Sequence, residues 1–321
     1  MSTNNAPIVV QLADVDPSKI SLTIPKKGLV NKPETLVTYE GRPLVVQLGT
    51  EAAPIECQGP LERHTGSKYE SVKTSDPTWA LTSPDDKKMR TSKIQGKLRL
   101  ENYNKAGSAD EAAYKKLNAI IDRFAELFES GVVNPATGQK ERLIDVHMPA
   151  SVMRQMFTTP IVDPTDQYAP GIKFKVRFHV TGPDGKNLKV EDPVLPGTKL
   201  TLDTEFYSAA DGSRPADPFS LIGNGASGIW LLQFNPLLIG KGTASITFGL
   251  IKAKVSPRAG FGGGGSFASS VGFLEAPAFA STAGFGTGAA AGAAAAGGAD
   301  NNSARPQEPE AKRQRMEIET V

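Results

Sequence analysis

Alternation of apolar and polar residues predicts that most of the chain up to about residue 255 is β-structure. Residues 172–180 (IKFKVRFHV) place apolar side chains on one face and Lys, Arg or His on the other. Residues 198–206 (TKLTLDTEF) alternate in the same way. Residues 244–255 (ASITFGLIKAKV) alternate until the phase changes after Leu250. Such a change predicts a β-bulge or a barrel corner near Gly249, because glycine suits both.

One long amphipathic helix is predicted within this β-rich sequence. Residues 108–131 begin with Ser108 and Glu111, which match a capping box, and end at Gly131, a common helix terminator. The apolar residues between them recur at helical spacing and form one stripe. Nearer the N-terminus, the similar segments 7–13 (PIVVQLA) and 43–49 (PLVVQLG) predict two similar strands.

The C-terminal segment 257–321 differs from the rest in composition. It consists largely of Gly, Ala and Ser with single Phe residues at intervals. Such a segment buries too little apolar surface to offset the entropy lost on ordering, so we expect a disordered tail. Its Phe-Gly pairs suit weak association, or the segment is a passive linker. The residues Lys312, Arg313 and Arg315 (in KRQR) form a candidate nuclear-import motif.

Charge and cysteine content narrow the classes of protein. The net charge is +2, so a nucleic-acid surface would have to be a local patch. The single cysteine, Cys57, excludes a disulfide framework and suits a reducing compartment. We expect an intracellular protein with no membrane partner, because neither a signal-peptide pattern nor an apolar run of about 18 residues occurs.

The motifs that would indicate catalysis lack the neighbouring residues or the spacing that each requires. Residues 223–228 (GNGASG) match a dinucleotide-binding pattern, but an apolar strand-like segment follows and no acidic residue occurs from 219 to 274. Residues 240–243 (GKGT) lack the remaining positions of a phosphate loop. The three histidines are far apart and lack metal-ligand spacing. We therefore predict no enzyme activity, no cofactor and no metal.

Basic strand faces are the pattern that points to a function. Residues 96–100 (GKLRL) and 172–180 carry basic side chains opposite apolar ones, and the last strand does so within an acid-free stretch. Several such faces are typical of a surface that follows a single-stranded nucleic acid, although lysines also protect edge strands. The candidate binding residues are Lys97, Arg99, Lys173, Lys175, Arg177, His179, Lys252 and Lys254.

Aromatic side chains could add base stacking to these charges. Trp79 lies in a polar segment with little local core to join, and Tyr207 is expected to be exposed on its strand. Phe174 and Phe178 share the apolar face of one strand, so we expect both in the core.

The order of these elements resembles a known family. A basic strand (KIQGKLRLENY), a helix, a strand with alternating basic residues (KFKVRFHV), a D-G-K turn, the segment PGTKLTL and the closing strand ASITFGLIKAKV follow one another. This order resembles the single-stranded-DNA-binding proteins of the T-seven phage type and their relatives in large eukaryotic DNA viruses. The resemblance covers about residues 93–255.

The resemblance implies a mainly β fold, an OB-like five-stranded barrel with an inserted α-helix. It implies binding of single-stranded DNA without sequence preference, with single-stranded RNA left open, and a homodimer that serves replication and recombination. The resemblance leaves residues 1–92 unexplained. We expect three domains: 1–92 (an N-terminal β-rich extension packed on the barrel), 93–255 (the barrel) and 256–321 (the tail). The expected location is the host nucleus or a viral replication site.

The tail departs from that family. Phage members carry a very acidic tail that ends in an aromatic residue and contacts polymerase, whereas this one has five Lys or Arg against six Asp or Glu and ends in MEIETV. Contact with replication proteins through the tail is therefore open. A second hypothesis is a viral structural or scaffold protein, with the β domain as an assembly unit and the tail as an adhesive.

Overall fold

A computed structural model describes most of the first 256 residues. The described ranges are 6–27, 33–64, 71–73, 93–134, 136–144, 149–189, 192–193, 195–216, 218–223, 225–240 and 243–256. The predictions for Trp79 and for Lys312, Arg313 and Arg315 in the tail lie outside them. Within these ranges no helix is long and apolar enough to span a membrane. Nor do they contain three or more His, Cys, Asp or Glu side chains placed to hold a metal ion.

The elements follow the chain in this order. The first strands are β1 (Ile8–Gln11), β2 (Ile20–Leu22), β3 (Lys26–Lys27), β4 (Pro33–Thr35), β5 (Val37–Tyr39), β6 (Arg42–Leu48), β7 (Ile55–Cys57), β8 (Glu62–His64), β9 (Ser71–Lys73) and β10 (Lys93–Arg99). Next come helix α1 (Ala109–Ser130), β11 (Val132–Val133), β12 (Lys140–Glu141), helix α2 (Ala150–Met156), β13 (Phe157–Thr158), β14 (Ile161–Val162), β15 (Gly171–Val176) and β16 (Phe178–Thr181). The last are β17 (Lys199–Leu202), β18 (Glu205–Ser208), β19 (Ser227–Phe234), β20 (Leu237–Ile239), β21 (Ala244–Ser245) and β22 (Phe248–Ser256). Short 3-10 helices occupy Leu12–Asp14, Pro17–Lys19 and Pro218–Leu221.

Five of these strands close into a barrel. The ring runs β7–β10–β15–β22–β19 and returns to β7, and within it only the β15–β22 pair is parallel. Numbered along the chain, the ring reads 1-2-3-5-4-1, which is the strand order of the OB fold. The prediction of a mainly β, OB-like five-stranded barrel is therefore confirmed. Its first strand, Ile55–Cys57, comes from the segment before residue 93, and β6, β5 and β2 extend the sheet outward from β19. The division into domains at residue 92 stays a prediction.

Alternation within each strand fills the barrel interior. Leu98 on β10, Phe174 on β15 and Trp230 on β19 point inward and are at most 1% exposed. The Trp230 indole N–H donates a hydrogen bond to the Ile55 carbonyl at 2.9 Å, which satisfies the one polar group of that side chain. Gly96 also faces inward, where a Cβ would overlap the Phe174 ring. A glycine is needed there because the ring already fills the space.

Helix α1 is inserted between the second and third barrel strands, and its ends agree with the prediction. The Ser108 hydroxyl accepts a hydrogen bond from the Glu111 backbone N–H at 3.0 Å. Gly131 ends the helix with a φ of 76°, which only glycine adopts readily. The apolar stripe packs onto the barrel through Phe124, whose ring meets Phe234 edge to face at 5.5 Å.

The phase change in the last barrel strand is a β-bulge, as predicted. Leu231 pairs with Lys252 and Leu232 pairs with Leu250, so Ile251 is the additional residue. The bulge lies two residues beyond Gly249. The strand predicted over 244–255 is also divided, because β21 joins a smaller sheet with β20 and β13.

The strand predicted over 172–180 is likewise divided, at Arg177. The Arg177 backbone N–H donates to the Thr204 hydroxyl at 3.1 Å, and its carbonyl accepts from the Asp203 N–H at 2.9 Å. Beyond this point β16 pairs with β17 in a separate two-stranded sheet, here called the ribbon. The prediction of one continuous strand is wrong here, because Thr204 and Asp203 take the hydrogen-bonding groups that a barrel neighbour would use.

Candidate nucleic-acid interface

The outer faces of β10 and β15 bring three predicted residues together in a basic strip, formed by Lys97, Arg99 and Lys173. Lys97 lies directly opposite Lys173 in the antiparallel register. Lys173 is exposed, and Lys97 is half-buried. Two like charges in this relation destabilise a sheet unless an anion lies between them. This pair of strands, the second and third of an OB fold, is also a face with which such folds bind oligonucleotides.

The strip is electrostatically uncompensated around its lysine pair. Burial, followed by the charges of Lys173 and Arg99, lowers the pKa of Lys97. Arg99 forms a hydrogen-bonded ion pair with Glu101, so its charge is balanced locally. Across the described ranges, neither Lys97 nor Lys173 forms an ion pair with a carboxylate. The positive charge of this pair is therefore available to an external anion.

A glycine makes room for one of these lysines. A Cβ at Gly171 would overlap the side-chain stem of Lys97 and lie 2.9 Å from the Leu98 carbonyl oxygen. The Lys97 side chain therefore lies across β15 at Gly171 and comes close to Lys173.

A cleft of about 470 Å³ lies between the barrel and the ribbon, beyond the Val176 end of β15. Its lining residues are Lys93, Ile94, Lys175, Val176, Arg177, Phe178, His179, Val180, Leu188, Asp203 and Asn235. Three of these side chains are Lys or Arg and one is a carboxylate. The predicted residues Lys175, Arg177 and His179 thus share one concave site, which adjoins the basic strip.

Arg177 is held in this cleft by neutral groups. Its Nη2 donates hydrogen bonds to the side-chain oxygens of Gln233, at 3.0 Å, and Asn235, at 3.1 Å. Burial lowers the pKa of Arg177, and the nearby Asp203 partly opposes this effect. Because both hydrogen-bonded partners are uncharged amides, they hold the guanidinium without neutralising it.

The other charged groups of the cleft fall into two sets. One set consists of lysines on the barrel side, and the other is a histidine and a carboxylate that are paired with each other. Burial, and then the charge of Lys93, lowers the pKa of Lys175. His179 lies on the ribbon with its Nδ1 2.8 Å from the Asp203 Oδ1, so the one carboxylate among the described lining residues already has a partner. The free positive charge therefore lies on the barrel side.

Two cleft residues with side chains suited to binding, the cation Lys93 and the aromatic Phe178, were not among the sequence candidates. Lys93 continues the outward alternation of β10 two steps before Gln95, and that period-2 pattern could have identified it. Phe178 was assigned to the core with Phe174, which is buried as predicted. Phe178 instead is half-buried and lines the cleft, because the break at Arg177 takes it out of the barrel.

The two lysines of the last strand lie elsewhere. Lys254 is 1% exposed and forms an ion pair with Glu51 at 3.0 Å. Lys252 pairs with Glu205 at 3.1 Å. Neither lines the cleft, and both lie apart from the basic strip, because this part of β22 pairs with β18 and not with β15.

Tyr207 is enclosed rather than exposed. The side chain is 8% exposed, with Lys252 5.4 Å and Arg214 5.3 Å from the ring centre. Its hydroxyl accepts from the Arg214 guanidinium at 2.9 Å and donates to Glu205 at 3.1 Å. The expectation of an exposed ring is wrong, since β18 pairs with β22 and brings these charged side chains over it.

Comparisons with known proteins add little to this geometry. The sequence matches no protein-family model and no curated protein. Among solved structures, the chain is similar to the single-stranded DNA-binding protein from bacteriophage Enc34 in complex with ssDNA, at 12% identity, with 75% of this chain and 98% of that chain covered and a TM-score of 0.31. The same phage protein without DNA gives 14% identity, 76% and 94% coverage and a TM-score of 0.31. Similarity at this level supports no conclusion about function.

Proposed function

We propose that this protein binds single-stranded DNA along the basic strip and does so without sequence preference. The observation that carries the proposal is the Lys97–Lys173 pair, two lysines in direct register with no carboxylate partner in the described ranges. A polyanion bound between them relieves their repulsion and releases its own counterions. On a surface that binds no anion, the same pair would only destabilise the sheet.

The dimensions of the strip favour one extended backbone. From Lys93 in the adjoining cleft to Arg99 at the far end of the strip, the outward positions of β10 cover roughly 20 Å, at about 3.4 Å per residue. The neighbouring basic row on β15 is only about 4.8 Å away, so the two rows form a single line of charge. One phosphate backbone can follow such a line. Its contacts are cationic side chains, which meet phosphates and read no base.

The biological role that fits this chemistry is protection of single-stranded DNA during replication and recombination. A homodimer, contacts with replication proteins and a location at the site of viral or nuclear DNA synthesis are further parts of the proposal. They extend the family resemblance of residues 93–255.

Fluorescence anisotropy with a labelled oligo(dT) tests the proposal. Binding should be tighter than to duplex, and competition with single-stranded RNA shows whether the sugar matters. Affinity should fall with salt, with a log–log slope of about −0.7 for each neutralised phosphate. The double variant Lys97→Gln, Lys173→Gln should bind about tenfold more weakly or worse.

The matched control is Lys19→Gln, Lys115→Gln, which removes the same charge from lysines already paired with Glu40 and Glu111. Its affinity should stay close to that of the unmodified protein. Equal losses in both double variants would show that net charge, and not the strip, attracts DNA. Absence of single-strand binding together with concentration-dependent self-association would favour the assembly hypothesis instead.

A further inference from the structure

The cleft has a cationic surface and an apolar surface, and one class of small ligand would bind to both at once. Lys93, Lys175 and Arg177 supply positive charge, and the half-buried ring of Phe178 lies among apolar side chains. The remaining apolar lining is Ile94, Val176, Val180 and Leu188. A volume of about 470 Å³ falls within the range of small-molecule sites, which is about 300–1,000 Å³.

Arg177 has the hydrogen-bonding capacity that a phosphate requires. A guanidinium carries five N–H donors, and Nη2 uses its own on Gln233 and Asn235. Within the described ranges, its Nε and Nη1 groups make no hydrogen bond. An arginine fixed in position, charged and with donors to spare is well suited to two-point contact with a phosphate.

Phe178 is placed to receive a base. Its ring packs against the core on one side and contributes to the cleft wall on the other. Nucleobases stack on aromatic rings whatever their identity, which agrees with binding that ignores sequence. Lys93 and Lys175 lie at the side of the cleft that adjoins the basic strip, so a strand leaving the strip meets cations before the ring.

We propose that the cleft between the barrel and the ribbon is a single-nucleotide site, in which Arg177 and Lys175 hold a phosphate and Phe178 stacks on the base. The site rests on the proposed function where its occupant is one nucleotide of a bound single strand. A free nucleoside monophosphate has the same chemistry, and the experiment below separates the two sources.

Saturation-transfer NMR on the full chain compares thymidine 5′-monophosphate with 2-deoxyribose 5-phosphate, which lacks the base. The mononucleotide should show transfer to its base protons and bind more tightly than the sugar phosphate. Phe178→Leu keeps an apolar side chain and removes the ring. It should abolish the preference for the mononucleotide and leave binding of the sugar phosphate unchanged.

Oligo(dT) binding by anisotropy is the second arm. Phe178→Leu should weaken it about five- to 150-fold, the range expected for loss of one stacked base. Tyr103→Leu is the control, because it removes another half-buried ring, one that packs on Tyr114 outside the cleft. Arg177→Lys keeps the charge but cannot make the forked contact, so it should also weaken binding, and it provides a second test if Phe178→Leu proves unstable in thermal unfolding.

The outcomes separate the two proposals. If both cleft variants bind oligo(dT) like the Tyr103 control while the Lys97, Lys173 variant does not bind, the strand follows the strip only and the cleft proposal is overturned. If the mononucleotide binds through Phe178 and oligo(dT) does not bind at all, the cleft is a site for free nucleotides and the proposed function fails. If neither ligand binds, both proposals fail.

Discussion

The Arg177 guanidinium occupies the space above Gly249 that a side chain at that position would need. A Cβ on Gly249 would come within 2.8 Å of the Arg177 Nε and 3.0 Å of its Nη2. Gly249 pairs with Lys175 on one side and with Gln233 on the other, so Arg177 passes over the strand between them. The glycine therefore allows an arginine to cross a barrel strand and lie in the cleft.

Gly249→Ala should weaken single-stranded DNA binding by about three- to tenfold without changing any charge. The added methyl group displaces Arg177 and Asn235, whose side-chain oxygen would lie 2.8 Å away. Anisotropy with oligo(dT) gives the affinity, and thermal unfolding checks that the barrel is intact. Gly223→Ala is the control, because no atom lies within 4 Å of a Cβ there. Equal affinity of both variants would mean that the position of Arg177 does not matter for binding.

Single-stranded DNA affinity should fall as the pH rises from about 7 towards 10. Burial and neighbouring cations lower the pKa of Lys97 from its ordinary 10.5, and burial lowers that of Lys175. Binding needs the charged forms, and these are lost at a lower pH than for ordinary lysines. The double variant Lys97→Arg, Lys175→Arg keeps its charge through this range and should show a flatter profile at constant ionic strength. A profile as steep as that of the unmodified protein would exclude these lysines as its cause.

Lys97→Gln should increase the free energy of unfolding while it weakens DNA binding. A pKa that is lowered in the folded state means that folding disfavours the charged form. The penalty is therefore complete below the folded-state pKa, declines as the pH rises above it and is gone above the unfolded-state pKa, ordinarily 10.5. Removing the repulsion from Lys173 should add about 0.2–1 kcal/mol at neutral pH, near the lower limit because solvent screens these side chains. Urea denaturation measures it, and a loss of stability would show that packing over Gly171 outweighs the repulsion.

Cys57 should react with thiol reagents only when the barrel opens. The side chain is fully buried on β7, and burial raises the pKa of its thiol to about 12, so almost no thiolate exists at neutral pH. Ellman's reagent should label one thiol per chain in denaturant and none in the native protein. Rapid labelling of the native protein would mean that β7 separates easily from β10 and β19.

Truncation after Ser256 should change oligo(dT) affinity by less than about threefold. The removed segment carries nearly equal numbers of acidic and basic residues, so it should not compete strongly with DNA for the basic strip. A large gain in affinity would instead show that the tail covers the strip.

A fluorescent fusion tests the import motif separately, because nuclear accumulation should be lost when Lys312, Arg313 and Arg315 are replaced.

Local pattern was sufficient for the parts of the interface that lie within regular strands. Period-2 alternation placed Lys97 and Lys173 outward and Phe174 inward, and the structure has them so. Helix α1 was equally predictable, because the residues that begin and end it, Ser108 and Gly131, are typical helix caps.

The remaining features depend on residues distant in the chain. The strand breaks at Arg177 because Thr204, 27 positions away, takes its N–H. The sequence pattern predicts Lys254 to be an exposed cation, but its partner is Glu51, 203 positions away. No local alternation contains either contact. The cleft follows from the first of them, which is why sequence reasoning found its cations Lys175 and Arg177 but missed Phe178 as part of its wall.

The closed ring has a consequence for synthesis of the chain. β7 ends at Cys57, and the ring is not complete until β22 ends at Ser256. At about 5–20 residues per second, a ribosome needs roughly 10–40 seconds to add the intervening residues. During that interval the early strands have open edges, and until residue 230 is made the Ile55 carbonyl lacks the Trp230 indole that donates to it in the folded protein. We expect the nascent chain to depend on chaperones until the last strand has emerged.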